Sequence, residues 1–197
     1  GNRVLLLLDG RPAITPESGG ALWNLVPLGA IERIEVIKGA YSSLFGSSAM
    51  GGIVNIITNN ADTTPRTELQ LHYGAYGKAP AYAEFTGYYD YYGIDATHSL
   101  KKNKWSFVFN AALRDNDGHR EKTSFTTWNG FAKIKYDFSP NRSLQISGMY
   151  NDIFNDTPAT WLNITHPYSV AEHRKDDTQH RREWNADLHY TAFARAN

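Results

Sequence analysis

The sequence predicts a mainly β chain: a small mixed α/β unit, then antiparallel strands of an incomplete transmembrane β-barrel. Three observations predict it. From Glu68 onward, apolar and polar residues alternate with period two, the pattern of a strand with two different faces. The connections between these segments are long and short by turns, an asymmetry typical of outer-membrane barrels. Aromatic residues on the apolar faces gather near strand ends, as they do where lipid meets water.

The first unit spans residues 1–60. Val4 to Leu8 is a short apolar run that reads as a buried strand, stopped by the turn signal Asp9-Gly10. A Pro/Gly/Ser loop follows from Arg11 to Gly20. A short helical stretch is expected around Leu22 to Ala30, then a strand from Ile34 to Lys38 ended by Gly39. Ser42 to Phe45 reads as one helical turn. Gly46, Gly51 and Gly52 bracket another turn before a third strand, Ile53 to Ile57. These glycines supply backbone angles closed to other residues. Asn55 puts a polar group on a buried strand, so it needs a partner.

Asn59 to Arg66 reads as a linker, and residues 61–197 form the second unit. Leu69, Leu71, Tyr73 and Ala75 share one face of the first long strand. A weaker strand runs from Gly93 to Leu100, with His98 on its apolar face. Trp105, Phe107, Phe109, Ala111 and Leu113 share a face, with Val108 as an exception opposite. Trp128, Gly130, Ala132, Ile134, Tyr136 and Phe138 do the same, with Phe131 as the exception. Leu144, Ile146, Gly148 and Tyr150 follow, then Trp184, Ala186, Leu188, Tyr190 and Ala192. Lys101–Lys104 and Ser139–Arg142 are short turns. The connections from Ala75 to Tyr92, Asp115 to Phe125 and Asp152 to Arg182 are long. Alternation alone also suits a soluble β-sandwich; the sorted loops and the two aromatic belts favour the barrel.

Composition removes several classes. Lysine plus arginine (20) balances aspartate plus glutamate (20), so nothing in the charge favours nucleic acid. Cysteine is absent, which excludes disulfides and thiolate metal sites. No apolar run approaches the ~20 residues of a membrane-spanning helix, but barrel strands need none. Gly46 to Gly52 lacks the Lys-Ser/Thr pair of a phosphate-binding loop. No catalytic constellation stands out, so neither an enzyme nor a cofactor is expected. His166, His173 and His180 match no compact metal motif, and no metal site is expected. The chain starts and ends on strand-like runs, so both ends read as cut.

Three stretches carry a resemblance. Val4-Leu5-Leu6-Leu7-Leu8-Asp9-Gly10, Ile31 to Gly39, and Ser43 to Thr58 resemble strands and turns in the plug of TonB-dependent outer-membrane receptors. They occur in that family's order and at about its spacing, with Ala40 where the family often has proline. The resemblance covers about the first sixty residues.

It implies the later part of a plug domain followed by the first strands of a barrel of about 22 strands. It implies a place in the bacterial outer membrane, in contact with its lipid. It implies an upstream signal peptide, TonB-binding segment and first plug portion that this chain lacks, so the isolated chain should not transport. Function would be uptake of a scarce, bulky small-molecule or metal-chelate cargo: a ferric siderophore, haem or cobalamin. A TonB energy-coupling partner would drive it. The alternatives are a surface receptor for signalling or adhesion, and a soluble β-rich binding module.

The implied plug-apex ligand loop carries Arg11, Ile14, Thr15, Glu17, Ser18 and Trp23, unless it is an ordinary variable loop. Tyr88, Tyr89, Tyr91 and Tyr92 form an aromatic patch, suited to gripping a planar or chelated ligand or to loop packing. Arg33, Glu35 and Lys38 would form an ionic lock between plug and barrel, or else Lys38 is simply solvated. Asp9, Gly10, Gly39, Gly46, Gly51, Gly52 and Asn55 are the structural motif residues of the plug.

Overall fold

The computed structural model describes residues 4–14, 20–23, 26–39, 49–78, 88–157 and 161–193. In the first unit, β1 (Val4–Leu8), β2 (Arg11–Pro12), β3 (Ile31–Lys38) and β4 (Gly52–Thr58) form one sheet in the order β2-β1-β4-β3. β1 runs parallel to β4, while β2 and β3 pair antiparallel to their neighbours. The parallel central pair explains the continuous apolar runs: Leu5, Leu6, Ile53 and Ile56 are buried on both faces. Asp9 and Gly10 both take positive φ, 48° and 80°, as a tight hairpin turn between β1 and β2 requires.

The helix expected over Leu22–Ala30 is not continuous. Val26 and Pro27 interrupt it, and a 3-10 turn closes at Leu28–Ala30. Proline lacks the N–H for a helix interior and disfavours helical angles in the preceding residue. The turn expected at Ser42–Phe45 lies outside the described residues.

The second unit is a six-stranded antiparallel meander. Its strands are β5 (Arg66–Ala75), β6 (Asp90–Lys102), β7 (Trp105–Asn116), β8 (Phe125–Ser139), β9 (Arg142–Asp156) and β12 (Thr178–Ala192). β10 (Trp161–Asn163) and β11 (His166–Val170) form a separate hairpin inside the loop between β9 and β12. Every strand is longer than its apolar pattern suggests. The backbone ladder continues past the alternating apolar stretch, for example through Asp152↔Arg182 and Asp156↔Thr178. The loop expected from Asp152 to Arg182 therefore shrinks to the stretch between Asp156 and Thr178. Tyr91 and Tyr92, expected in a loop, lie in β6.

The wall's two faces differ in what covers them. One face leaves Leu71, Trp184 and Leu188 about 70% exposed, at 68%, 74% and 70%. The other is buried under the first sheet. Val108, Phe131 and Met149 join Leu6, Leu8, Ala13, Val26, Ala30 and Ile56 in a single core. The two exceptions to the period-two pattern, Val108 and Phe131, are thus where the wall meets the inner sheet.

Candidate functional site

The contact between the small sheet and the wall is built around the Asp9–Gly10 turn. Asp9 Oδ1 accepts from Thr58 N at 2.8 Å and Oδ2 accepts from the Thr58 hydroxyl at 2.7 Å. Gly10 N donates to Asn55 Oδ1 at 3.0 Å, and Asn55 Nδ2 donates to Glu35 Oε2 at 3.1 Å, so Asn55 finds its partners across β3 and β1. Gly52 has φ 132°, and a Cβ there would lie 2.7 Å from Ile37 O, so no other residue fits. Gly39 also has a positive φ, 115°. Gly51 is an exposed bend. Gly46 lies outside the described residues.

From β8, Lys133 reaches into this turn. Its ammonium donates to Thr58 Oγ1 at 2.7 Å, Thr58 O at 3.2 Å and Asn60 Oδ1 at 3.4 Å, and sits 3.9 Å from Asp9 Oδ2. A second ionic contact runs the other way: Arg11 Nη2 donates to Ser147 Oγ at 3.2 Å, and its Nε lies 3.6 Å from Asp187. The expected lock residues behave differently. Arg33 pairs with Glu32 and Glu35 on its own strand, at 2.9 and 3.0 Å. Lys38 is exposed, with no wall carboxylate beside it among the described residues. β3 is the edge strand of the inner sheet, and Arg33 is satisfied by the two glutamates of its own strand.

A polar cluster lines the wall nearby. Asn110 Nδ2 donates to Asp95 Oδ1 at 2.7 Å and Thr97 Oγ1 at 2.9 Å. Arg114 bridges Asp95 at 3.2 Å and Asn129 at 2.8 Å, and Asn129 donates to Asn151. The Leu28–Ala30 turn rests on this cluster: a Cβ on Gly29 would lie 1.8 Å from Asp95 Oδ1 and 2.7 Å from Asn110 Nδ2.

The hairpin rising from Asp9–Gly10 heads toward the long-loop end. Arg11 meets Ser147, whereas Ala13 and Leu22 pack beside Met149, two residues further along β9. Ile14 bridges Ala21, and Trp23 is 52% exposed. Thr15, Glu17 and Ser18 lie outside the described residues.

At the same end, Tyr76 stacks between Tyr91 and His119, with centroids 5.6 and 5.9 Å away. Tyr91 lies over Gly74, where a Cβ would come within 2.2 Å of its ring. Tyr92 is exposed and pairs across from Tyr73, and Tyr88 is exposed beyond the strand. Tyr89 O accepts from Tyr76 N. The tyrosines are therefore split: Tyr76 and Tyr91 stack together, while Tyr92 and Tyr88 face outward.

The long loops also grip each other. Glu121 accepts from Val170 N at 2.7 Å and pairs with Lys175 at 3.1 Å. Arg120 lies over the rings of Trp161 and Tyr168, at 5.0 and 5.5 Å. Hydrogen bonds to Glu172 first and Glu121 second hold the Lys175 ammonium above the usual lysine range. The three loop histidines stay apart: His180 bonds Asp152 at 2.6 Å and His166 bonds Asn163, and the described residues hold no group of three His, Asp or Glu placed for a metal.

A small sheet packed on one face of an antiparallel wall whose other face is apolar and exposed is the arrangement of a plug inside an outer-membrane barrel. Residues 1–53 match the family model of the TonB-dependent receptor plug domain. The vitamin B12 transporter BtuB of Vibrio vulnificus is 40% identical over 74 residues, 38% of this chain and 12% of that protein. The vitamin B12 transporter BtuB of Vibrio cholerae is 44% identical over 57 residues, 29% of this chain and 9% of that protein. Among solved structures, unliganded ferric citrate transporter FecA aligns with TM-score 0.70 at 18% identity, over 87% of this chain and 26% of its own. The ferric enterobactin receptor of Pseudomonas aeruginosa aligns with TM-score 0.66 at 17% identity, over 95% of this chain and 31% of its own. At these identities the structural likeness is one of fold. Residues 1–53 are thus similar to the plug of TonB-dependent receptors, and the chain spans only about a tenth of the length of the curated relatives it matches.

Proposed function

We propose that this chain is the plug-and-wall portion of an outer-membrane receptor for a scarce, bulky nutrient of the cobalamin, haem or ferric-siderophore class. Residues 1–60 are the later part of its plug and residues 61–197 the first strands of its barrel. The observation that carries the reading is the pairing of faces. The wall buries Val108, Phe131 and Met149 against the plug while Leu71, Trp184 and Leu188 stand outward, uncovered by protein. A soluble module of this size would not leave such a face to water. A lipid bilayer is the solvent that fits it.

Cargo binds at the outer ends of plug and barrel. Arg11, Ile14, Thr15, Glu17, Ser18 and Trp23 are the candidate cargo contacts of the plug, and Tyr88, Tyr89, Tyr91 and Tyr92 those of the wall. TonB, acting through the plug, drives a shift to a state of lower cargo affinity. Transport requires no covalent chemistry. Cobalamin is the first cargo to test, because two curated relatives, at 40% and 44% identity, are vitamin B12 transporters.

The test is uptake of radiolabelled cyanocobalamin and of ferric enterobactin by cells whose own receptors are deleted and which express the receptor containing this chain. Uptake of either that vanishes without TonB supports the reading. TonB-independent accumulation, or a receptor found in the soluble fraction, contradicts it.

A further inference from the structure

We propose that Lys133 is the barrel-side latch of the plug: a positioning residue that holds the plug closed, and whose release sets the threshold for opening. The inference rests on the transporter reading and adds the device that keeps the path shut.

Lys133 is only 5% exposed and borders the apolar seam of Val108, Phe131 and Met149, which a methionine or leucine could join more cheaply than an ammonium. Val108, Phe131 and Met149 beside it show that this seam accepts apolar side chains. An ammonium here carries a desolvation cost and needs every proton satisfied. Its partners satisfy them: Thr58 Oγ1, Thr58 O and Asn60 Oδ1 accept, and Asp9 supplies the counter-charge.

Two parts of the plug meet at this one group. Asp9 is the root of the hairpin that carries the cargo-side residues from Arg11 onward. Thr58 to Asn60 is where the chain leaves the plug for the wall. The Thr58 hydroxyl donates to Asp9 and accepts from Lys133, so a shift of the hairpin reaches the latch through one side chain. Beside it lies a cavity of about 130 Å³, lined by Asn60, Ala61, Lys101, Lys135 and Gln145. That space gives the strap and the lysine room to part. A joint of directed polar bonds opens and re-forms in one register, which a greasy contact does not ensure.

The test uses the receptor containing this chain, purified and placed in planar bilayers without TonB. Lys133→Met keeps the length and removes the charge; Lys133→Arg keeps the charge. Loss of a set of charged hydrogen bonds predicts a frequency of spontaneous channel openings raised roughly tenfold to a hundredfold in Lys133→Met. Lys133→Arg should stay within about threefold of the parent. Heat-modifiable migration on gels checks that each barrel is folded. Should Lys133→Met fail to assemble, Thr58→Val removes one acceptor from the plug side and should give a smaller rise of the same sign. Folded Lys133→Met or Thr58→Val that opens no more often than the parent overturns the latch. A parent without heat-modifiable migration overturns the transporter reading instead.

Discussion

Gly29 offers the sharpest test of how the plug is seated. Its backbone does not require glycine, so any cost of Gly29→Ala comes from space alone. The added Cβ would sit 1.8 Å from Asp95 Oδ1 and 2.7 Å from both Asp95 Cγ and Asn110 Nδ2. Asp95 and Asn110 are 6% and 4% exposed and hydrogen-bonded to each other, so neither can swing into solvent. Either the turn lifts from the wall or the Asp95–Asn110 bond breaks. Overpacking costs about 1–3 kcal/mol. A buried polar pair left unmade adds about 1–3 kcal/mol. The control is Gly130→Ala on the outward face, where the new Cβ meets nothing within 4 Å. Limited proteolysis of the plug in detergent-solubilised receptor reads the difference. Gly29→Ala should expose the plug to cleavage at a protease concentration that leaves the parent and Gly130→Ala intact. Equal resistance in all three would refute the seat.

Other outcomes follow from the same geometry. Ile134→Glu and Ile146→Glu each put a carboxylate on the lipid-facing side at mid-strand, and membrane assembly followed by heat-modifiable migration should fail or fall sharply. Gly52→Ala forces a Cβ to within 2.7 Å of Ile37 O at φ 132°, and should lower plug stability by about 1–3 kcal/mol in denaturant titration. Glu121→Ala removes the acceptor of Val170 N and one of the two carboxylate partners of Lys175, so hydrogen exchange should speed up across β11 while β7 and β8 stay protected. Arg120→Ala removes contacts to Trp161 and Tyr168 worth about 0.5–1 kcal/mol each, and should raise exchange in β10.

The two grammars of the chain were legible because each reports a solvent. Buried parallel strands make continuous apolar runs, and a wall between lipid and a polar interior makes alternation. Even the faults in that alternation carried information: Val108 and Phe131 break it because the plug, not water, covers them. Lys133 went unread for the opposite reason. It keeps the period-two pattern, so a buried latch and a solvated lysine look alike until Thr58, 75 positions away in sequence, is brought beside it. Gly29 fell inside the stretch expected to be helical, and the atoms that need its empty space, on Asp95 and Asn110, are likewise remote in sequence. The lock expected at Arg33, Glu35 and Lys38 was assigned by family position. The described contacts show ionic joints at Asp9–Lys133 and Arg11–Asp187. Strand ends beyond the aromatic belts were hidden because backbone pairing there no longer depends on apolar side chains. The β10–β11 hairpin is too short and polar to announce itself.

The most direct test of the central claim, one face to lipid and one to the plug, is a cysteine scan of neighbouring residues. These 197 residues have no cysteine, so with any cysteine elsewhere in the receptor replaced, single substitutions report cleanly. Ile146→Cys and Leu188→Cys point outward, and Ser147→Cys and Asp187→Cys inward, in register across β9 and β12. Each is given a fluorescent label in the receptor containing this chain, reconstituted in bilayers with brominated acyl chains. Strong quenching at 146 and 188 with weak quenching at 147 and 187 is the predicted result. Uniform quenching, or the reverse alternation, would contradict the account.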